Sequence, residues 1–134
     1  MTVELISVGT ELLLGNIVNT NAAYLSEKCA DLGLSCFYQS VVGDNEERLS
    51  GVLKTALERS DIVILSGGLG PTEDDLTKEV SAKVMGRELS MHEPSKKRIE
   101  EYFSSRNLEL TENNWKQAMV PEGAIVLDNE NGTA

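Results

Sequence analysis

Apolar residues come in three short runs, each followed by a stretch of helical period. Val3 to Val8 reads as a first strand, Leu34 to Val42 as a second and Asp61 to Leu65 as a third. The continuous apolar character of Ile62-Val63-Ile64-Leu65 predicts burial within a parallel sheet. Between the first two runs, Ala22, Leu25, Cys29 and Leu32 fall on one side of a helix capped by Thr20 or Asn21 and closed by Gly33. Asp44-Asn-Glu-Glu47 has capping-box spacing with Asp44 in the cap position, and Leu49, Val52, Leu53, Ala56 and Leu57 line one face of the helix behind it. Leu76, Val80 and Val84 mark a third helix. The β-α-β-α-β-α order predicts an α/β fold, a doubly wound and mostly parallel sheet with right-handed crossovers.

After Gly86 the pattern changes. Arg87 to Ser90 predicts a short strand, and Pro94 starts a helix with Ile99, Tyr102 and Phe103 on one face and Lys96, Lys97 and Arg98 exposed. Thr111 caps a short helix holding Trp115, Ala118 and Met119, which Pro121-Glu-Gly123 breaks before a last strand from Ala124 to Leu127. The loop-like Asn129-Glu-Asn-Gly-Thr-Ala134 that follows predicts a single domain, 1–134, truncated at its C-terminal end.

Composition narrows the function. A chain of 134 residues is long enough to bury a core as one domain. A formal net charge of −10 argues against nucleic-acid and anionic-membrane partners, which need a basic face, and 4% aromatic content argues against a base-stacking surface. Neither a basic leader followed by an apolar segment nor a run long enough to span a membrane is found, which predicts a cytoplasmic protein. Cys29 and Cys36 form neither a CxxC pair nor a zinc set and read as reduced thiols.

The richest chemistry lies in Ser66-Gly-Gly-Leu-Gly-Pro-Thr-Glu-Asp-Asp-Leu-Thr77, where the third strand turns into a helix. Open α/β sheets bind ligands outside the carboxyl ends of their strands, and glycines there let backbone N–H groups approach a phosphate at a helix amino terminus. The loop is not GxGxxG and lacks the lysine of a P-loop. Asp44 follows the second strand, and Asp74 and Asp75 follow the third. Either Asp44 and Asp75 converge above the sheet edge, or Asp44 and Asp74 cap helices while Asp75 complements a helix dipole. A pyrophosphate at this loop would meet Glu11, Glu73, Asp74 and Asp75 with Lys78 and Arg48 as the few nearby cations, so a bridging divalent metal is expected. The Gly9–Asn21 connection carries Leu12, Leu13, Leu14 and Ile17 and is expected to fold back onto the core. Within it, Glu11 suits a metal or a ribose hydroxyl, and Asn19, Thr20 and Asn21 suit a phosphate or base, unless all serve loop-internal hydrogen bonds. His92, the only histidine, sits in a polar turn, and no Ser/His or Cys/His pair supports acyl transfer.

Four motifs occur together in order: Gly9-Thr-Glu-Leu-Leu-Leu-Gly-Asn-Ile-Val-Asn-Thr-Asn21, Val42-Gly-Asp44, the Ser66–Thr77 loop and Asn131-Gly-Thr-Ala134. The set resembles the amino-terminal domain of the competence/damage-inducible CinA proteins, within the molybdopterin-binding superfamily of MogA and MoaB, across essentially the whole chain. The resemblance implies a MogA/MoaB-like three-layer α/β/α fold. It further implies a hydrolase, a metal-dependent ADP-ribose pyrophosphatase releasing AMP and ribose 5-phosphate. By the same resemblance, Asp44, Asp75 and Glu11 are catalytic, and Asp44, Asp74 and Asp75 hold a divalent ion, Mg²⁺ or a transition metal such as Co²⁺, with K⁺ as a further ion. Asn19, Asn21, Gly67, Gly68, Gly70, Thr72, Thr77, Gly132 and Thr133 are its substrate-binding positions, and a homo-oligomer acting on a small-molecule nucleotide is implied. Leu69-Gly-Pro-Thr-Glu-Asp74 departs from the Thr-Gly and Arg-Asp pattern of the molybdopterin enzymes, which favours the pyrophosphatase over pterin binding or adenylylation. A non-catalytic nucleotide-sensing module is the reading from a different class. The family's loop continues Gly-Thr-Ala-Pro-Gly, and its second, amidase-like domain has no counterpart in this sequence.

Overall fold

In the computed structural model, which describes residues 1–132, the strand β1 (Thr2–Val8) is the axis of the first of two units, Met1–Gly68. It is paired on both sides in parallel, by β2 (Ser35–Val42) and β3 (Ile62–Ser66), in the order β2-β1-β3. All residues from Val3 to Val8 are therefore buried. Alternation along β1 assigns its two faces. Val3 and Leu5 pack with Cys29 of α2 (Thr20–Asp31), whereas Glu4 reaches the end of α3 (Glu46–Arg59). One helix covers each face, so this unit has three layers. The strand β3 is parallel as expected but half-buried along its length, because β1 is its one partner among the described residues.

Capping differs from the expectation in two places. Asn19, rather than Thr20 or Asn21, caps α2 by accepting from Ala22 N at 3.2 Å. Asn45, rather than Asp44, caps α3 by accepting from Arg48 N at 3.0 Å. On α3, Leu49, Leu53 and Ala56 are buried as the period predicts, while Leu57 is exposed; on α2, Leu32 is exposed beyond the last turn. Cys29 is buried and Cys36 half-buried, both as free thiols. The Gly9–Asn21 connection contains a helical turn, α1 (Thr10–Leu13), that the period does not reveal. Contrary to expectation, most of its apolar residues do not join the core: Leu13, Leu14, Ile17 and Val18 are exposed, and of the three leucines and the isoleucine expected there Leu12 alone is half-buried.

At the far end of the sheet a glutamate is buried in the central strand. Glu4 is 0% exposed. Its carboxylate accepts from Arg59 Nη2 at 2.7 Å, Arg59 Nε at 2.9 Å and Ser60 Oγ at 3.1 Å. The Arg59 guanidinium lies 3.6 Å from the centre of the Tyr38 ring. A β-bulge aligns these groups, since Val3 pairs with Cys36 but Glu4 with Tyr38, leaving Phe37 as the extra residue. The Arg59 hydrogen bonds hold the Glu4 pKa below 4.5 against the opposing effect of burial, and Ser60 and the Arg59 charge add to the lowering. A carboxyl whose pKa falls on folding stabilises the fold above its unfolded value and loses that contribution as pH drops through the folded one. Glu4→Gln is therefore expected to lower stability by about 1–3 kcal/mol at pH 7, and the gap to the parent is expected to shrink steadily as the pH is lowered into the acid range. Urea unfolding of the two proteins across a series of pH values from 7 downward checks this, and a gap that does not change with pH would disprove it.

The second unit begins at Leu69. It contains α4 (Thr77–Val84), β4 (Leu89–Met91), α5 (Glu93–Ser105), α6 (Glu112–Trp115), a 3₁₀ turn (Lys116–Ala118) and β5 (Met119–Pro121). The strands β4 and β5 pair antiparallel, Leu89 against Pro121 and Met91 against Met119. Two expectations are corrected here. Met119 and Pro121 belong to a strand, and Ala124 to Leu127 form no strand, because the apolar stretch that pairs with β4 is the earlier one. Pro121 takes a terminal strand position, where its missing N–H matters least. Pro94 lies in the first turn of α5 as predicted, and Ile99 is buried while Tyr102 is half exposed. Among the described residues no helix is long and apolar enough to cross a membrane.

Candidate functional site

The strand order places a topological switch between β1 and β3, since the chain runs from β1 outward to β2 and then returns to the other side of β1. Crevices at such switches, beyond the carboxyl ends of the strands, are where open α/β sheets hold ligands. A crevice of about 100 Å³ lies there, lined by Val8, Ser66 and Gly67 at the strand ends and by Glu11 and Ile17 to Asn21 of the connection after β1. Gly67, with φ of +94°, allows the closest approach: a Cβ on it would lie 2.1 Å from Val8 O. Gly68 follows, also at positive φ.

Within the crevice wall the polar residues divide. Asn19 uses both ends of its amide on structure, donating one N–H from Nδ2 to Ser7 Oγ at 2.9 Å and accepting at Oδ1 from Ala22 N. Asn21 makes no such bond among the described residues and is exposed. The Glu11 carboxylate folds back over Gly9, in the space a Cβ there would fill, with Oε1 at 2.4 Å from that position. Asp44, half-buried at the end of β2, accepts at Oδ2 from Thr10 N at 3.0 Å and Thr10 Oγ1 at 2.9 Å. Its role as a helix cap is thus replaced by a clamp onto the loop after β1.

The second unit repeats this clamp. Asp75 Oδ2 accepts from Thr72 N at 3.0 Å and Thr72 Oγ1 at 2.6 Å. Burial pushes the Asp75 pKa up, but the Thr72 hydroxyl and N–H, the Gly70 N–H and the charge of Lys116 together bring it below the usual aspartate value. Gly70 must be small because a Cβ on it would come 2.6 Å from Asp75 Oδ2. Asp74 is exposed and caps no helix; Leu76 holds the N-cap position of α4. Thr77 is 3% exposed in the first turn of α4. Gly132 lines an open cavity of about 780 Å³ beside α5, and Thr133 lies outside the described residues.

Three features escaped the sequence reading. Thr10 holds Asp44 across 34 positions, so no local spacing announces it; Thr72 and Asp75, three apart, are a detectable turn signature. Lys78, expected to face a phosphate, instead donates to Lys116 O at 3.1 Å and Gln117 O at 2.9 Å. His92 Nδ1 does lie 2.8 Å from a serine, Ser95 Oγ, but Ser95 is 3% exposed at the start of α5, so the pair closes a helix end and cannot present a nucleophile. Among the described residues, no group of three or more histidine, cysteine, aspartate or glutamate side chains is gathered to hold a metal.

A parallel sheet with a polar crevice at its switch point is the arrangement in which open α/β domains hold ligands. The chain belongs to the family described as "Probable molybdopterin binding domain", which residues 4–133 match, and within it to the amino-terminal domains of CinA-like proteins. A CinA-like protein from Dictyoglomus turgidum is 57% identical over 134 residues, all of this chain and 33% of that protein. The chain thus spans about a third of the length of the curated relatives it matches. The solved structure of CinA from Thermoplasma acidophilum is 36% identical and superposes with a TM-score of 0.88, covering 99% of this chain and 78% of that one. The tungsten cofactor synthesizing protein MoaB from Pyrococcus furiosus, 22% identical, shares the fold with a TM-score of 0.61 over 90% of this chain and 78% of its own.

Proposed function

We propose that this domain is a metal-dependent nucleotide pyrophosphatase that hydrolyses ADP-ribose to AMP and ribose 5-phosphate. The observation that carries the reading is the repeated clamp. Asp44 and Asp75 each have one carboxylate oxygen fixed by the N–H and hydroxyl of a threonine. Carboxylates that ligate metals are characteristically oriented by such hydrogen bonds, and at Asp75 these bonds help hold the pKa below the usual aspartate value. The family resemblance would give the ion to Asp44, Asp74 and Asp75, whose carboxylate oxygens suit a hard divalent cation, although among the described residues no group of three or more such side chains is gathered. When bound, such an ion would supply charge neutralisation at the phosphoryl oxygens and would acidify a water.

The protein's own groups do the rest. The glycines at 67 and 68, both at positive φ, would let backbone N–H groups approach pyrophosphate oxygens, while the Gly70 N–H stays with the Asp75 carboxylate. Glu11 and Asn21, on the crevice wall, orient the attacking water and the ribose. Water adds across the P–O–P bond, its oxygen joining one phosphorus while the bridging oxygen leaves on the other.

Product analysis of the full chain with ADP-ribose tests the reading. AMP is expected with Mg²⁺ or Co²⁺ and not after chelation. Absence of AMP from folded protein across several metals would refute it. The family description favours a second reading, pterin binding or adenylylation through the same loop. That reading predicts a retained pterin and no hydrolysis, whereas a sensing module would bind nucleotide without metal and without product.

A further inference from the structure

The turn that carries Asp75 is closed from inside by its own groups and fastened from outside by a lysine some forty residues away. Inside, Asp75 N donates to Thr72 O at 3.2 Å while Thr72 N and Oγ1 hold the Asp75 carboxylate. Outside, Lys116 in the 3₁₀ turn donates from Nζ to Thr72 O at 2.7 Å and to Asp75 O, the carbonyls at the two ends of the turn. Its third neighbour is Glu79 Oε1 of α4, at 3.5 Å. An ammonium has three donors, and these three acceptors account for them. Lys116 is itself held, because Lys78 Nζ donates to the carbonyls of Lys116 and Gln117. The turn and the 3₁₀ segment are therefore tied in both directions, with the Lys116 side chain only 22% exposed. Glu79 Oε2 is buried and has no hydrogen-bond partner among the described residues, and the charges of Lys116 and neighbouring Lys78 keep this carboxylate tolerable.

We propose that Lys116 is a positioning residue for Asp75: by pinning both carbonyls of the Thr72–Asp75 turn it fixes where the carboxylate points. This rests on the pyrophosphatase reading of Asp75. A displacement of about 1 Å in a reacting group costs on the order of 100-fold in rate, so an anchor on the turn backbone acts on turnover more than on substrate affinity. No smaller neutral side chain can reach two carbonyls and a carboxylate together, which is why a long side chain with three donors stands here.

The test uses the full chain with ADP-ribose and Mg²⁺. Lys116→Met keeps the length and loses the donors; Lys116→Ala leaves space for added methylammonium. For both, kcat is expected to fall about 10–100-fold with KM changed by less than about threefold. Methylammonium is expected to restore part of the loss in Lys116→Ala and none in Asp75→Asn. Amide hydrogen exchange across residues 69–76 is expected to quicken in both variants while β1 stays protected. Wild-type kcat in a folded Lys116→Met would overturn the proposal, as would exchange at 69–76 unchanged from the parent. Should Lys116→Met fold poorly, the amine-dependent recovery in Lys116→Ala decides. If the parent itself yields no AMP, the pyrophosphatase reading fails on its own, and the exchange measurement still decides whether Lys116 holds the turn.

Discussion

Asp75→Asn is expected to lower ADP-ribose turnover at least about 100-fold while leaving the domain folded. The asparagine carbonyl oxygen can accept from Thr72 N–H and hydroxyl as Asp75 Oδ2 does at 3.0 and 2.6 Å, so the turn persists and only the charge is lost. That charge is present in the parent at neutral pH. Although burial alone would raise the Asp75 pKa, the Thr72 and Gly70 donors and nearby Lys116 hold it below 3.8. The substitution thus separates the electrostatic role of the carboxylate from its structural one. AMP formation and circular dichroism, measured together, check it; a folded variant that turns over normally would remove Asp75 from the chemistry. Asp75→Ala is expected to lose both roles, with a lower unfolding midpoint besides.

The second large effect is on stability. Gly67→Ala is expected to destabilise the fold by at least about 3 kcal/mol, from overpacking and backbone strain together. The added Cβ would sit 2.1 Å from Val8 O and 3.2 Å from Val8 C, and these are backbone atoms of the central strand. They cannot yield without disturbing the β1–β3 pairing that ends at Ser7 and Ser66. Gly15 is the control. It also has positive φ, at +72°, but nothing lies within 4 Å of its Cβ position. Gly15→Ala should therefore cost only the conformational penalty of about 1–2 kcal/mol. Urea unfolding of the two variants isolates the clash, and equal midpoints would show that β1 and β3 do not approach this closely at Gly67.

How much of this was legible in the chain follows from the range of each interaction. The three parallel strands and the helices α2, α3, α4 and α5 announce themselves because burial of one face imposes a period on their own residues. The caps were misplaced by one residue or two, since Asp44, Asn45, Asn19 and Thr20 are all competent cap residues and local sequence does not rank them. Asp44 is released from capping by Thr10, a partner 34 positions away. The last strand was misplaced because Ala124 to Leu127 and Met119 to Pro121 are equally apolar, and only pairing with β4 selects the second. The exposure of Leu13, Leu14, Ile17 and Val18 follows no pattern in the sequence. For the site, the glycines and aspartates were visible as a motif. The clamps and the Lys116 anchor were not, because each depends on a fold that brings a distant threonine or lysine to a backbone turn.

The position of β1 also bears on how the chain is made. Of the strands described, the one synthesised first is the one that needs neighbours on both sides, and the second of these, β3, is complete only at Ser66. At about 5–20 residues per second of synthesis, the apolar stretch from Val3 to Val8 waits on the order of 3–12 s before its sheet can close. Over that interval Glu4 also lacks Arg59 and Ser60, its hydrogen-bond partners in the finished fold. Its charge then lies in the middle of an otherwise sticky segment, where it acts as a gatekeeper against premature pairing with other nascent chains. The same carboxylate therefore guards the strand before folding and locks it afterwards.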